Sequence, residues 1–384
     1  MIKKSICSRI CCLVLLLILL LISVRKLYPT QRSINVFRKE TDRKITYMSS
    51  TVSTPANEKP KLILYWRPDG SSGEETSVGE CEVTYDKNRL KEAGIVAFHF
   101  TTISGNDIPW KHYRDPKQIF VYWNAEPAGA WGRDSLTEFD NFFNWTWTYK
   151  RSADALRGYG TRGRVLAAVK RGKLVVDKIV KSKDKMAMWT VSHCGGTKGA
   201  IQRMQYYKDL VQAGLTVSTF GNCFAGAEKI PWSFPTNYPD RLKRHKFYLA
   251  FENSIRCRDY ITEKFWDNAL KNDMVPVVWG PAKEDVLAVA PIDSFIHCDD
   301  FESPAKLAEY LHFLDQNDDE YRKYFRWRED ESMTEEEMAK LIKEKYPDID
   351  VEFKSKDLCE EYLKNTNTKI IKSLNQEFLR SDRD

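Results

Sequence analysis

Glu126, in the run Asn124-Ala125-Glu126-Pro127, follows directly on the apolar, strand-like stretch Gln118 to Trp123. A carboxylate at the carboxyl end of a strand, beside a proline that fixes the backbone, is placed to take a proton as a general base. A second group of polar residues lies between positions 247 and 281. Glu252, Asn253 and Ser254 close a short apolar run, and Tyr260, Glu263 and Lys264 follow just before and into a helical pattern. Free N–H groups and the dipole of a first helical turn already favour an anion there, so a lysine added at that point suits a strongly anionic ligand. Arg203, nearly two turns into the helix that begins at Lys198, offers a fork of donors for the same kind of group. Ser192 stands just beyond the strand Ala187 to Val191 and joins the set. Each residue also has a plain structural reading: a solvated loop carboxylate, a surface lysine, an exposed helical arginine, a strand-end cap at Glu252.

The elements that would position these groups are legible around them. Tyr248 to Phe251 has strand length, and Thr262 is placed to cap a helix whose apolar stripe is Phe265, Trp266, Ala269 and Leu270. Asn272 and Asp273 stop that helix, and Val275 to Trp279 is a β-branched run closed by Gly280 and Pro281. Strand, helix and strand at this spacing form a parallel βαβ crossover, whose ligands bind beyond the strands' carboxyl ends. Upstream, Lys198 to Ala213 is a helix stopped by Gly214, and Leu215 to Phe220 the next strand. Downstream, Pro304 to Leu314 and Thr334 to Lys345 are amphipathic helices, the second opened by a Thr334/Glu337 capping box. In the first half, Leu62 to Trp66, Gly94 to Phe100, Gln118 to Trp123 and Phe142 to Tyr149 read as strands, with helices over Asp86 to Ala93 and Ser135 to Phe139. Arg162 to Lys185 is basic and changes periodicity, as an interdomain region does. Alternating strands and helices in both halves predict an α/β fold of two doubly wound, Rossmann-like domains facing across a cleft.

The phrases FYLAFENS (247–254), DYITEK (259–264) and VPVVWGP (275–281), with Asn-Ala-Glu-Pro at 124–127 and Arg203 followed by Tyr206-Tyr207, resemble the α-1,3-fucosyltransferases. Members of that family move fucose from GDP-fucose to a hydroxyl of N-acetylglucosamine. The resemblance implies a GT-B architecture and an inverting reaction, which needs a base for the acceptor hydroxyl, support for an oxocarbenium-like sugar, and stabilisation of a departing diphosphate. On this reading Glu126 is the base. Lys264 and Arg203 face the diphosphate, and Glu263 holds the fucose. Asn253 holds the ribose or phosphate, Tyr260 lies near the guanine or diphosphate, and Ser192 and Ser254 complete the donor contacts. No metal is required by this set, and Mn2+ or Mg2+ would only stimulate by shielding the diphosphate. The six histidines form no metal spacing with one another or with cysteine, and Asp348-Ile349-Asp350 lies in a C-terminal loop. Two departures stand out. The loop Ser254 to Tyr260 is one residue longer than in vertebrate members, and His193 stands where the family often has asparagine. The acceptor is left open between an antennal glycan (on N-glycan or glycolipid) and the N-glycan core. Outside this class, a membrane-tethered sugar-binding protein without catalysis is the rival, although Glu126, Arg203, Glu263 and Lys264 are all present.

The ends bound the setting. Ile10 to Ile22 is uninterrupted apolar sequence preceded by Lys3, Lys4 and Arg9, and no small-residue cleavage site follows it. It reads as an uncleaved signal-anchor over residues 10–24, with residues 1–9 cytoplasmic and the rest luminal. The resemblance adds a single-pass type II protein of the Golgi membrane. A Ser-, Thr- and Lys-rich stem over residues 25–60 precedes domains over 61–180 and 181–384, the second binding the donor and carrying the C-terminal helices. Net charge is +6, with Lys and Arg spread along the chain, which gives no nucleic-acid footprint. Of nine cysteines, Cys7, Cys11 and Cys12 lie in or beside the anchor, leaving an even number for an oxidising compartment. The resemblance pairs Cys81 with Cys359 and Cys194 with Cys223, and leaves Cys257 and Cys298 as candidates for a third bond. Asn144-Trp145-Thr146 is the one glycosylation sequon, usable if luminal.

Overall fold

The computed structural model describes residues 59–67, 75–103, 115–127, 136–230, 238–351, 357–365 and 369–379. The expected tail and anchor, and the stem up to residue 58, lie outside the described residues. None of the described helices is long and apolar enough to cross a membrane.

Two sheets organise the chain. Among the described residues the first holds β1 (Leu62–Arg67), β2 (Ser77–Val78), β3 (Cys81–Thr84), β4 (Ile95–His99), β5 (Ile119–Asn124), β6 (Trp145–Thr148) and β7 (Ala155–Leu156), in the order β2-β3-β1-β4-β5-β6-β7. All its pairings are parallel except the β2–β3 hairpin. The second holds β8 (Lys185–Thr190), β9 (Val217–Phe220), β10 (His245–Phe251), β11 (Val275–Trp279) and β12 (Ile296–His297), parallel throughout in the order β12-β11-β10-β8-β9. β4, β5 and β10 are buried along their whole length, which is why most of each reads as an apolar run rather than an alternating one. Both parallel sheets reverse their winding once, between β1 and β4 and between β8 and β10. Open α/β sheets bind ligands at that reversal.

The expected elements of the second half are present with small shifts. The helix Lys198–Gln212 is capped by Thr197 and stopped before Gly214, which sits at φ 97°. Pro304–Asp315 follows Ser303, and the Thr334/Glu337 capping box closes in both directions. The basic region 162–185, expected between the domains, folds as the helices Arg162–Ala168 and Lys173–Lys181. In the first half the helical stretches shrink to 3-10 turns at Lys87–Lys91 and Thr137–Phe139. The helix after Lys264 is π-helical through Ala269 and tightens to 3-10 over Leu270–Asn272. Such windings concentrate at functional sites.

The domain division differs at the C-terminus. Cys359 is bonded to Cys81, and Leu358 and Tyr362 pack with Ile63, Val121 and Trp147. Ile371 and Leu374 join Phe120 and Phe142 on the other face of the first sheet, where Asn141 N donates to Ile371 O at 3.0 Å. Residues 357–379 therefore belong to the first sheet, not to the domain over 181–384. The second disulfide joins Cys194 and Cys223 as expected. Cys257 and Cys298 are buried in different clusters and are not bonded to each other, which removes the third pairing.

Candidate active site

A cleft of about 420 Å³ opens at the β8–β10 reversal. The carboxyl end of β8 contributes Thr190, Val191, Ser192 and His193 to its lining, and the end of β10 contributes Asn253. Tyr260, Glu263, Lys264 and Asn268 come from the crossover after β10, Arg203 from the helix Lys198–Gln212, and Glu126 from the loop after β5 of the first sheet. One cavity thus gathers Glu126, Ser192, Arg203, Asn253, Tyr260, Glu263 and Lys264. Ser254 does not line it. A Cβ on Gly199 would meet the Ser254 Cα at 2.6 Å, so Ser254 packs behind the wall against the helix.

Glu126 is held by its own loop. Its N–H donates to Asn124 Oδ1 at 2.7 Å, and Tyr159 donates its hydroxyl to Ala125 O at 2.6 Å. Tyr260 donates to Glu126 Oε2 at 3.3 Å. Burial raises the Glu126 pKa above the ordinary carboxylate value, while the nearby Lys264 charge and the Tyr260 hydrogen bond pull the other way. A carboxylate raised in this manner is a better base than a solvated one.

Lys264 sits at the hub of a buried charge network. Nζ donates to Thr262 Oγ1 at 2.7 Å, to Glu252 Oε2 at 3.1 Å and to Glu263 Oε1 at 3.1 Å. Glu252 also accepts from Thr262 N at 2.9 Å and from its hydroxyl at 2.8 Å. Burial works against the ammonium, yet Glu252 and Glu263 hold its pKa above the ordinary lysine value. Burial raises Glu252 in spite of Lys264. In Glu263 burial is outweighed by Lys264, and its pKa falls. The Thr262 hydroxyl therefore ties Glu252 to Lys264, and it also accepts from Lys264 N at 3.5 Å at the start of the helix, where a cap is expected. The π-helical winding begins after Glu263, whose own side chain makes no capping bond.

Arg203 is buried rather than exposed. Its two terminal nitrogens donate to Phe251 O at 2.8 Å and His193 O at 2.7 Å, tying the ends of β10 and β8 across the reversal point, while Nε has no partner. Burial lowers its pKa, although Glu252 favours the charge. Asn253 Oδ1 is likewise buried without a partner. Ser192 Oγ accepts from Asn222 N at 3.2 Å and orders the loop that Cys194–Cys223 closes. Thr190, Tyr238 and Asn268 also line the cleft and were not read from the sequence. Asn268 lies among helix-stripe residues, and Tyr238 follows a stretch without periodicity, so neither carried a signal. Among the described residues no three His, Cys, Asp or Glu side chains converge as metal ligands.

Asn144 is a correction. It is 4 % exposed, with its side-chain oxygen accepting from Phe120 N at 2.8 Å and its nitrogen donating to Lys369 O at 2.8 Å. In this packing the amide nitrogen that a glycan would occupy is sealed between a strand and the C-terminal segment.

Comparison with known proteins defines the class as a glycosyltransferase. The description "Fucosyltransferase, N-terminal" matches residues 58–160, and "Glycosyltransferase family 10 (fucosyltransferase) C-term" matches residues 180–377. The chain belongs to glycosyltransferase family 10, the fucosyltransferases. It is 32% identical over 289 residues to 4-galactosyl-N-acetylglucosaminide 3-α-L-fucosyltransferase FUT6 of Homo sapiens, covering 73% of this chain and 76% of that one. It is 34% identical over 289 residues to 4-galactosyl-N-acetylglucosaminide 3-α-L-fucosyltransferase 9 of Mus musculus, covering 73% and 74%. A crystal structure of an α1,3-fucosyltransferase with GDP-fucose overlaps 84% of this chain and 96% of its own at a TM-score of 0.49 and 15% identity.

Proposed function

We propose that this chain is an inverting α-1,3-fucosyltransferase that moves L-fucose from GDP-fucose to N-acetylglucosamine in a glycan. The observation that carries the reading is the meeting of Glu126, from one sheet, with Lys264 and Arg203, from the other, in a single cleft. Glu126 takes the proton of the acceptor hydroxyl as the new bond to the sugar carbon forms and the bond to the diphosphate breaks. Lys264 and Arg203 are fixed by neighbouring protein groups before any donor arrives, so their charges need no reorganisation as negative charge grows on the leaving group. Glu263 supports the positive charge of the sugar. Asn253, Tyr260 and Ser192 contact the donor, and Ser254 positions Asn253 from behind the wall. No resident metal enters the mechanism; Mn2+ or Mg2+ acts by shielding the diphosphate. The N-terminal anchor places the enzyme in the Golgi membrane as a single-pass type II protein with its catalytic part luminal.

The experiment is transfer from GDP-fucose to two acceptors, N-acetyllactosamine and a paucimannose N-glycan, read by mass gain and linkage. Fucose in α-1,3 linkage on either one supports the reading, and which one gains it separates antennal from core modification. GDP binding without transfer to either would overturn the acceptor class.

A further inference from the structure

Trp279 ends β11 half-buried, and Tyr206 of the helix Lys198–Gln212 lies beside it with ring centroids 6.3 Å apart. The two rings floor a second cavity of about 350 Å³, open to solvent and rimmed by Gln202, Gln205, Asp209, Arg256 and Asp299. That volume lies within the range of small-ligand pockets, roughly 300–1,000 Å³. Gln205 Nε2 donates to Asp209 Oδ1 at 2.8 Å. The exposed side chains of Gln202 and Arg256 bond no described residue.

The rim chemistry narrows the ligand. A phosphate would face two carboxylates against one guanidinium. A cation would meet Arg256. A neutral polyol satisfies all of them at once, because each hydroxyl both donates and accepts, matching carboxylate, amide and guanidinium together. Its C–H face suits the aromatic floor.

This groove shares a wall with the donor cleft. Asn253 faces the cleft and Ile255 and Arg256 the groove, while Arg203 and Tyr206 of one helix divide in the same way. The wall is closely packed. A Cβ on Gly199 would lie 2.4 Å from Asn253 O, and one on Gly280, at φ 118°, would lie 2.7 Å from Ser254 O. Arg256 is held at φ 51° with its N–H donating to Gly280 O at 2.7 Å.

We propose that the groove binds a neutral oligosaccharide, the portion of the acceptor glycan remote from the sugar that receives fucose. The proposal rests on the transferase reading above. Its test compares the full chain with the double variant Gln202→Ala/Arg256→Asn. Both positions are exposed, and asparagine tolerates the left-handed backbone at position 256. The acceptors are N-acetyllactosamine and a biantennary N-glycan ending in the same disaccharide. The wild type should show the lower KM for the biantennary glycan. The variant should raise that KM about tenfold, as loss of a charge-assisted hydrogen bond does, and leave kcat and the KM values for N-acetyllactosamine and GDP-fucose unchanged. No preference in the wild type, no change in the variant, or an equal rise for both acceptors would overturn it. If neither acceptor is fucosylated, the antennal acceptor reading fails on its own. Saturation-transfer NMR of the biantennary glycan on wild type and variant then decides the groove: signal lost in the variant supports it, and equal signal or none overturns it.

Discussion

Tyr260 donates its hydroxyl to Glu126 Oε2 at 3.3 Å, joining the crossover of the second sheet to the loop after β5 of the first. The bond favours the ionised carboxylate that burial disfavours. Removing it in Tyr260→Phe should raise the Glu126 pKa further, so the acid limb of kcat/KM moves to higher pH. Glu126→Gln should lower kcat at least ~100-fold with GDP affinity intact, the lower end for loss of a general base. A pH–rate profile of each variant, with GDP binding by calorimetry, checks both; unchanged turnover in Glu126→Gln would remove the residue from the mechanism.

Glu126, Glu252 and Glu263 already surround Lys264 and Arg203 with more negative than positive charge. A bound diphosphate adds to that excess, and a neighbouring anion raises a carboxyl pKa. The donor should therefore make Glu126 a stronger base. The acid limb of kcat, which reports the enzyme with substrates bound, is expected at higher pH than that of kcat/KM, which reports the free enzyme. Coincident limbs would mean that the donor charge is not felt at Glu126.

Much of this arrangement was legible because the ligand-facing groups stand at strand ends, and strands buried on both faces are easily read as apolar runs. Glu252, Asn253 and Ser254 close such a run in β10, and Glu126 follows another in β5. What the sequence hid are partners far apart in the chain. Arg203 looks like an exposed helical arginine until Phe251 O and His193 O are brought to it. The return of residues 357–379 to the first sheet rests on contacts more than 200 residues away in sequence, such as Asn144 with Lys369 at a separation of 225. The π-winding after Glu263 keeps the apolar periodicity of an α-helix and so left no mark of its own.

Asn144 offers a direct check of that return. The secreted fragment beginning near Lys61 should carry no glycan at the sequon, so peptide-N-glycosidase treatment leaves its mass unchanged. Asn144→Ala should cost about 1–3 kcal/mol for the buried Phe120 N left unsatisfied, and lower the melting temperature. Occupancy of Asn144 in the folded, active enzyme would contradict the packing of the C-terminal segment.

The Cys81–Cys359 disulfide closes a loop across 278 positions, whereas Cys194–Cys223 closes one across 29 and borders the cleft. Loop-closure entropy makes the first the larger contributor to stability. Cys359→Ser should lose on the order of 2–5 kcal/mol in denaturant unfolding. Cys223→Ser should lose less, but loosen the Ser192 loop and raise the KM for GDP-fucose. The opposite ranking would show that Cys194–Cys223, not Cys81–Cys359, holds the fold.

Lys264 and Glu252 permit a test in which the sign of the pH dependence matters. Lys264→Met removes the cation that keeps Glu252 ionised in the interior, and burial then raises that carboxyl still further. A group whose pKa is higher folded than unfolded stabilises the fold only when protonated. The penalty in Lys264→Met should therefore be greatest near pH 8, at about 3–5 kcal/mol for a buried pair broken on one side. It should shrink as pH falls through the raised folded pKa towards the unfolded value of about 4.3. Lys264→Met/Glu252→Gln removes both charges and should recover most of the stability at pH 8 without recovering GDP affinity. Stability and affinity would then separate, as they must if Lys264 is kept for the diphosphate. Thermal unfolding across pH 5–8 with GDP titrations on the three proteins decides it, and a pH-independent penalty in Lys264→Met would show that Glu252 does not titrate against this lysine.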